Sequence, residues 1–145
     1  MSKKKYIHYG HKEFSVDKFD RPKNHAFLSK PFGGLWASPV ESDYGWRDWC
    51  EAEDFRRCDI ENSFMFTLRD DANVLYIDSR DCLSDLPKQK CYRDLWCMLD
   101  FEKLMGTYDA IELTLSSDIA LRFVLYGWDC DSIVILNPYV VEVFE

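Results

Sequence analysis

The stretch Tyr126-Gly127-Trp128-Asp129-Cys130-Asp131-Ser132 runs directly into Ile133-Val134-Ile135-Leu136 and closes on Asn137-Pro138. Four consecutive apolar residues, three of them β-branched, predict a strand buried on both faces, the best strand in the chain. Two carboxylates stand just before it, beside a tryptophan. The mouth of a strand is a common place for catalytic side chains, because loops held by a rigid sheet carry much of a protein's chemistry. The plainer alternative is an acidic turn that keeps the end of a hydrophobic strand in water.

The segments around this strand alternate between short strands and short helices. Upstream, residues 110–115 read as a strand, and Ser117 starts a helix through Leu125 that Gly127 ends. Residues 93–105 form an amphipathic helical pattern with Leu95, Trp96, Leu99 and Leu104 apolar and Gly106 as its stop. Ser79 caps a short helix over 82–86, which Pro87 terminates. Residues 64–68 and 74–77 are strands separated by the turn-rich 69–73, a hairpin or a step between sheets. Residues 44–55 are helical, with Ser42 as N-cap and Tyr44, Trp46, Trp49, Cys50 and Phe55 covering one broad face. Residues 32–38 form a strand entered through Pro31 and two glycines. Residues 12–30 are a loop with at most one helical turn, and Tyr6–Tyr9 and residues 140–144 are further strands. With the strands scattered singly between helices and no regular βαβ unit, the fold class is α+β. No repeat or linker divides the chain, so residues 1–145 are expected to form one domain.

Composition narrows the function classes. The 145 residues are 47% hydrophobic and 16% aromatic, enough to build a core and inconsistent with disorder. Twenty-six acidic against 18 basic residues give a net charge of −8, and the only basic run is Lys3-Lys4-Lys5. Such a surface is poorly suited to neutralising phosphates, which argues against general nucleic-acid binding. No apolar run has the length needed to cross a membrane. No charged-then-apolar leader opens the sequence, so a cytoplasmic setting is expected, with the six cysteines reduced and mostly buried as small hydrophobes. None of the cysteines forms a CxxC pair. His8 and His11, three residues apart at a strand end, are expected to point to different sides, and no metal site is expected.

Two further segments carry chemical potential. Tyr6-Ile7-His8-Tyr9-Gly10 places a histidine at the end of the first strand. An isolated histidine there is most simply a core or edge residue that has found a hydrogen-bond partner. Lys30-Pro31-Phe32-Gly33-Gly34-Leu35-Trp36-Ala37-Ser38-Pro39, followed by Ser42-Asp43-Tyr44, sets paired glycines before an aromatic and small polar residues. Glycines at such a place permit close approach of a ligand or of another backbone.

The order of these features resembles the ADP-ribosyltransferase superfamily, in particular the His-Tyr-Glu branch that includes the poly-ADP-ribose polymerases and the diphtheria-type toxins. The resemblance implies a fold of split antiparallel or mixed sheets with short helices. It also implies NAD as substrate, with ADP-ribose transferred to a macromolecular acceptor or to water. In that family a first-strand histidine hydrogen-bonds the ribose, aromatic rings sandwich the nicotinamide, and a glutamate stabilises the sugar as nicotinamide leaves. By resemblance His8 is the ribose-binding histidine and Gly10 lies near the family's glycine. The run from Gly34 to Ser38 matches the family's Gly-Ile-Tyr-Phe-Ala stretch, so Trp36 takes the place of the first tyrosine and Tyr44 that of the second. Asp131 stands in for the glutamate when the Ile-Val pairs are aligned. Aligning on Asn137 puts Ser132 there instead, as in the related Arg-Glu-Ser toxins, and Asp129 is a third candidate.

In such a site Lys30 could reach the pyrophosphate, although an exposed loop lysine is more often simply solvated. The resemblance extends to small toxin-type domains of bacteria and phages, for which a protein acceptor or an antitoxin would be the partner. The sequence departs from the family in having Trp for Tyr at 36 and one residue inserted in His8-Tyr9-Gly10. Two rivals remain open: a non-catalytic domain of the same shape that binds a nucleotide or a protein, and an interaction protein using an exposed Tyr44, Trp46 and Trp49 patch.

Overall fold

The strand beginning at Ser132 lies at the interior of a seven-stranded mixed sheet, and its burial follows from that position. The computed structural model describes residues 3–25, 28–89, 98–125 and 127–144. In chain order the strands are β1 (Tyr6–Tyr9), β2 (Leu35–Pro39), β3 (Ser63–Leu68), β4 (Val74–Ile77), β5 (Ala110–Leu113), β6 (Ser132–Ile135) and β7 (Val141–Val143). They lie in the order β4-β5-β6-β2-β1-β3-β7. Only β4 and β5 run parallel; every other neighbouring pair is antiparallel. Among the described residues three short helices, α1 (Trp46–Ala52), α2 (Phe101–Leu104) and α3 (Leu121–Val124), complete an α+β fold.

The sheet curls. Strands β3 and β4 stand five places apart, a separation of about 24 Å in a flat sheet. The link between them, residues 69–73, can span only about 20 Å. The two halves of the sheet therefore bend toward each other and share one interior: Tyr6, Phe64 and Phe66 from one half pack with Ala110, Ile133 and Ile135 from the other. Within this interior the buried carboxylate of Glu112 accepts a 2.5 Å hydrogen bond from the Tyr6 hydroxyl and pairs with the Lys4 ammonium. The 69–73 segment is thus a step across the sheet and not a hairpin.

Strand periodicity assigns the remaining side chains. Ile111 and Leu113 of β5 and Val134 of β6 point to the outer face, where Phe101, Leu104, Leu121, Leu125 and Trp128 cover them. Ile133 and Ile135 point inward. Each face of β6 thus has its own apolar partner, which is why four successive residues are apolar.

Several elements are shorter than the sequence predicts. Gly33 and Gly34 both hold φ near +74°, so the chain is still turning there and β2 starts only at Leu35. The first helix starts at Trp46, not at Tyr44. Its end is tied by the Gly45 N–H donating to the Asp48 carboxylate and the Trp46 N–H donating to Ser38 Oγ, so Ser42 is not the cap. The strand over 110–115 stops at Leu113, and Leu115–Ser117 is a 3-10 turn ahead of α3, which begins at Leu121. The short helix after Ser79 is the 3-10 turn Arg80–Leu83. Of the described part of the helix expected over 93–105, residues 98–105, only α2 is helical. Asp100 caps it by accepting from the Lys103 N–H, Leu99 is bridged to Lys88, and residues 90–97 lie outside the described residues.

Candidate active site

The ladder between β1 and β2 is only two pairs long, Tyr6 with Pro39 and Ile7 with Ser38. Beyond it β2 continues against β6 through Leu35, Trp36 and Ala37. The two halves of the sheet therefore part at the end of β1, leaving a backbone carbonyl of β2 without a strand partner. His8 fills the role: its Nδ1 donates to the Trp36 carbonyl at 2.6 Å. A carbonyl cannot donate, so Nδ1 carries the proton. Burial lowers the basicity of His8, which favours the neutral ring. Its Nε2 then accepts from Nδ1 of His11 at 2.9 Å, and the two rings stack with centroids 5.2 Å apart.

The expectation that His8 and His11 point apart is corrected by Gly10. Its φ of +121° reverses the chain, and its N–H donates to the Asn62 carbonyl at 2.7 Å. Both ring nitrogens of His8 are consequently engaged, Nε2 by the exposed His11.

The parting of the strands opens onto a cavity of about 430 Å³, a size typical of small-molecule sites. Its walls are aromatic. The Trp36 and Trp128 rings meet edge to face at 4.8 Å, and Trp36 Nε1 donates to the Gly33 carbonyl. Opposite, Trp46 and Trp49 stack at 5.2 Å, with Phe55 edge-on to both. The polar groups facing the same space include His8, Lys30, Arg56, Asp129 and Ser132. Asp129 is half-buried, and burial pushes its carboxyl above the usual range, against the pull of Lys30 and Arg122. Among the described residues its carboxylate makes neither a hydrogen bond nor an ion pair.

The residues singled out in the sequence fall into three groups. His8, Trp36 and Ser38 line this cavity. Ser38 does so with its hydroxyl already committed, donating to the Asp131 carbonyl at 2.8 Å and accepting from Trp46. Gly10, Gly34 and Tyr44 serve the backbone around it. A Cβ on Gly34 would stand 2.8 Å from Val134 Cγ2 and 3.0 Å from the Ile135 carbonyl, so its close approach is to β6. Tyr44 contributes its carbonyl, which accepts from the Asp131 N–H at 2.8 Å.

Asp131 stands apart. Strand alternation sends its side chain to the opposite face from Ser132. There the carboxylate, 3% exposed, accepts from the N–H and the hydroxyl of Ser116 at 3.2 and 3.0 Å. It borders a different cavity, of about 530 Å³, together with Glu112 and Lys3 to Lys5. Of the three candidates for the glutamate position, Asp129 and Ser132 face the aromatic cavity and Asp131 does not. Ser132 donates its hydroxyl to the Cys130 carbonyl at 2.7 Å.

The thiol of Cys130 borders the cavity, and burial pushes it up to about 11, which favours its protonated form. Cys50, Cys58, Cys82 and Cys130 are all free thiols. No group of three or more His, Cys, Asp or Glu side chains is placed to hold a metal ion among the described residues. Likewise no helix there is long and apolar enough to cross a membrane. Trp128, Phe55 and Arg56 are among the wall residues to which the sequence assigned no site role. Trp128 sits next to the acidic pair, which was the available signal. No protein-family model, curated protein or solved structure matches this chain.

Proposed function

We propose that the aromatic cavity binds NAD through its nicotinamide riboside end and cleaves the bond between ribose and nicotinamide, in the manner of an ADP-ribosyltransferase. The observation that carries this is an uncommitted carboxylate, Asp129, in a cavity walled by four tryptophans at the parting of β1 and β2. A cationic nicotinamide ring is attracted to indole faces, by about 0.5–2 kcal/mol for each well-placed ring. As the bond from ribose C1′ to the ring nitrogen breaks, the electron pair leaves with nicotinamide and positive charge develops on the sugar. A fixed carboxylate in a partly desolvated site stabilises that charge more than water would. The glutamate-like role falls to Asp129 in this scheme, with Asp131 holding the loop through Ser116. His8 anchors the seam through Trp36 and offers Nε2 to a ribose hydroxyl once His11 swings aside. ADP-ribose then passes to a macromolecular acceptor or to water.

The engagement of both His8 nitrogens favours one other reading, a cavity that binds a nucleotide without turnover. Two measurements on the purified protein separate them: nicotinamide released from NAD, and the shift of thermal unfolding on adding NAD. Release together with protection supports the enzyme, and protection alone supports the binder. Neither effect would overturn both.

A further inference from the structure

Lys30 and Asp129 border the same cavity, yet neither makes a hydrogen bond or an ion pair among the described residues. Their charged atoms are therefore more than 4.0 Å apart. The Lys30 ammonium lies over the Trp36 ring, 6.0 Å from its centroid. Its stem is seated against Gly127, where an added Cβ would stand 3.3 Å from Lys30 Cδ. Gly127 has φ +106°, and the chain it turns delivers Asp129 two residues later. One short segment thus seats the lysine stem and presents the carboxylate.

Resting on the NAD-cleaving role proposed above for Asp129, we infer that Lys30 is a positioning residue for that reaction, an uncommitted cation on the wall of the same cavity whose charge favours the anionic form of the Asp129 carboxylate. The titratable and charged groups that face Asp129 or share its cavity are Lys30 from the loop before β2, Arg122 from α3, Glu53 at the end of α1, Arg56 just after it, His8 and Tyr9 of β1 and the neighbouring Cys130. Burial is the largest influence on Asp129 and opposes ionisation; Lys30 is the largest charge acting the other way, ahead of Arg122. Arg122 is exposed and screened by salt, whereas the half-buried Lys30 is screened less. An ammonium held by a ring face instead of an ion pair is also free to shift when a cationic ring enters.

The test is a carbon-13 NMR titration of aspartate carboxyls in the wild type, Lys30→Met and Lys30→Arg, with the Asp129 signal assigned from Asp129→Asn. The expected result is a higher midpoint for Asp129 in Lys30→Met, restored toward the wild type in Lys30→Arg. Lys30→Gln provides a second neutral variant if the methionine disturbs folding. The acid limb of nicotinamide release should move upward with the midpoint. An unmoved midpoint in both neutral variants would overturn the inference, whether or not nicotinamide is released. A moved midpoint with no release by the wild type would support the charge coupling and overturn the NAD-cleaving role.

Discussion

His8 Nδ1 donates to the Trp36 carbonyl at the point where the ladder between β1 and β2 ends. The bond replaces a missing backbone donor, so one imidazole both closes the seam and stands at the cavity's edge. His8→Ala leaves that carbonyl without its partner and should destabilise the fold by about 1–3 kcal/mol. Asparagine, whose Nδ2 can occupy the position of Nδ1, should recover part of the loss. Urea unfolding of the two variants checks this, and an alanine variant as stable as the wild type would contradict the bond's importance.

Gly34 carries a second stability prediction. With φ +74° and a Cβ position 2.8 Å from Val134 Cγ2, alanine there meets both backbone strain and a clash with β6. Gly34→Ala should cost roughly 1–3 kcal/mol or more in urea unfolding. Equal stability would mean that β2 and β6 are less closely apposed at this residue.

Much of the fold was legible in the sequence, for identifiable reasons. The four apolar residues from Ile133 announced a strand buried on both faces, and residues 64–68 also read as a strand, which takes its place in the other half of the sheet. Helix ends were harder to read because their caps come from other elements: Ser38 of β2 ties the start of α1, and nothing near Ser42 in the chain reveals that. The site was legible in part. Trp36 and His8 line the cavity, whereas the choice between Asp131 and its neighbours turned on strand register, and one residue along β6 reverses the face. The relation of His8 to His11 depended on the positive φ of Gly10, which residue spacing does not convey.

The aromatic wall yields a binding prediction. Trp49 is half-buried and stacked on Trp46, so its loss should leave the fold nearly intact. Trp49→Ala should weaken NAD binding by about 0.7–2 kcal/mol, roughly three- to thirtyfold in Kd. Calorimetric titration with NAD measures it, and unchanged affinity would exclude this wall from the ligand site.

Asp129 makes a prediction about stability and pH. Burial raises its pKa in the folded state above the unfolded value. Its contribution to stability is therefore fully present below the unfolded pKa and is lost as pH rises through the folded pKa. Asp129→Asn removes that loss. The Tm of the variant relative to the wild type should thus rise from acid toward neutral pH, a stability gain at the expense of activity. A relative Tm that falls over the same interval would mean that the carboxylate is stabilised by the fold.

The most direct measurement is nicotinamide release from NAD by three proteins side by side: wild type, Asp129→Asn and Asp131→Asn. A transition-state role for Asp129 predicts release by the wild type, loss of at least a hundredfold in Asp129→Asn while it remains folded, on the scale of a lost charge-stabilising group, and retained release by Asp131→Asn wherever that variant folds. Full activity of Asp129→Asn, with release abolished in a folded Asp131→Asn, would contradict it.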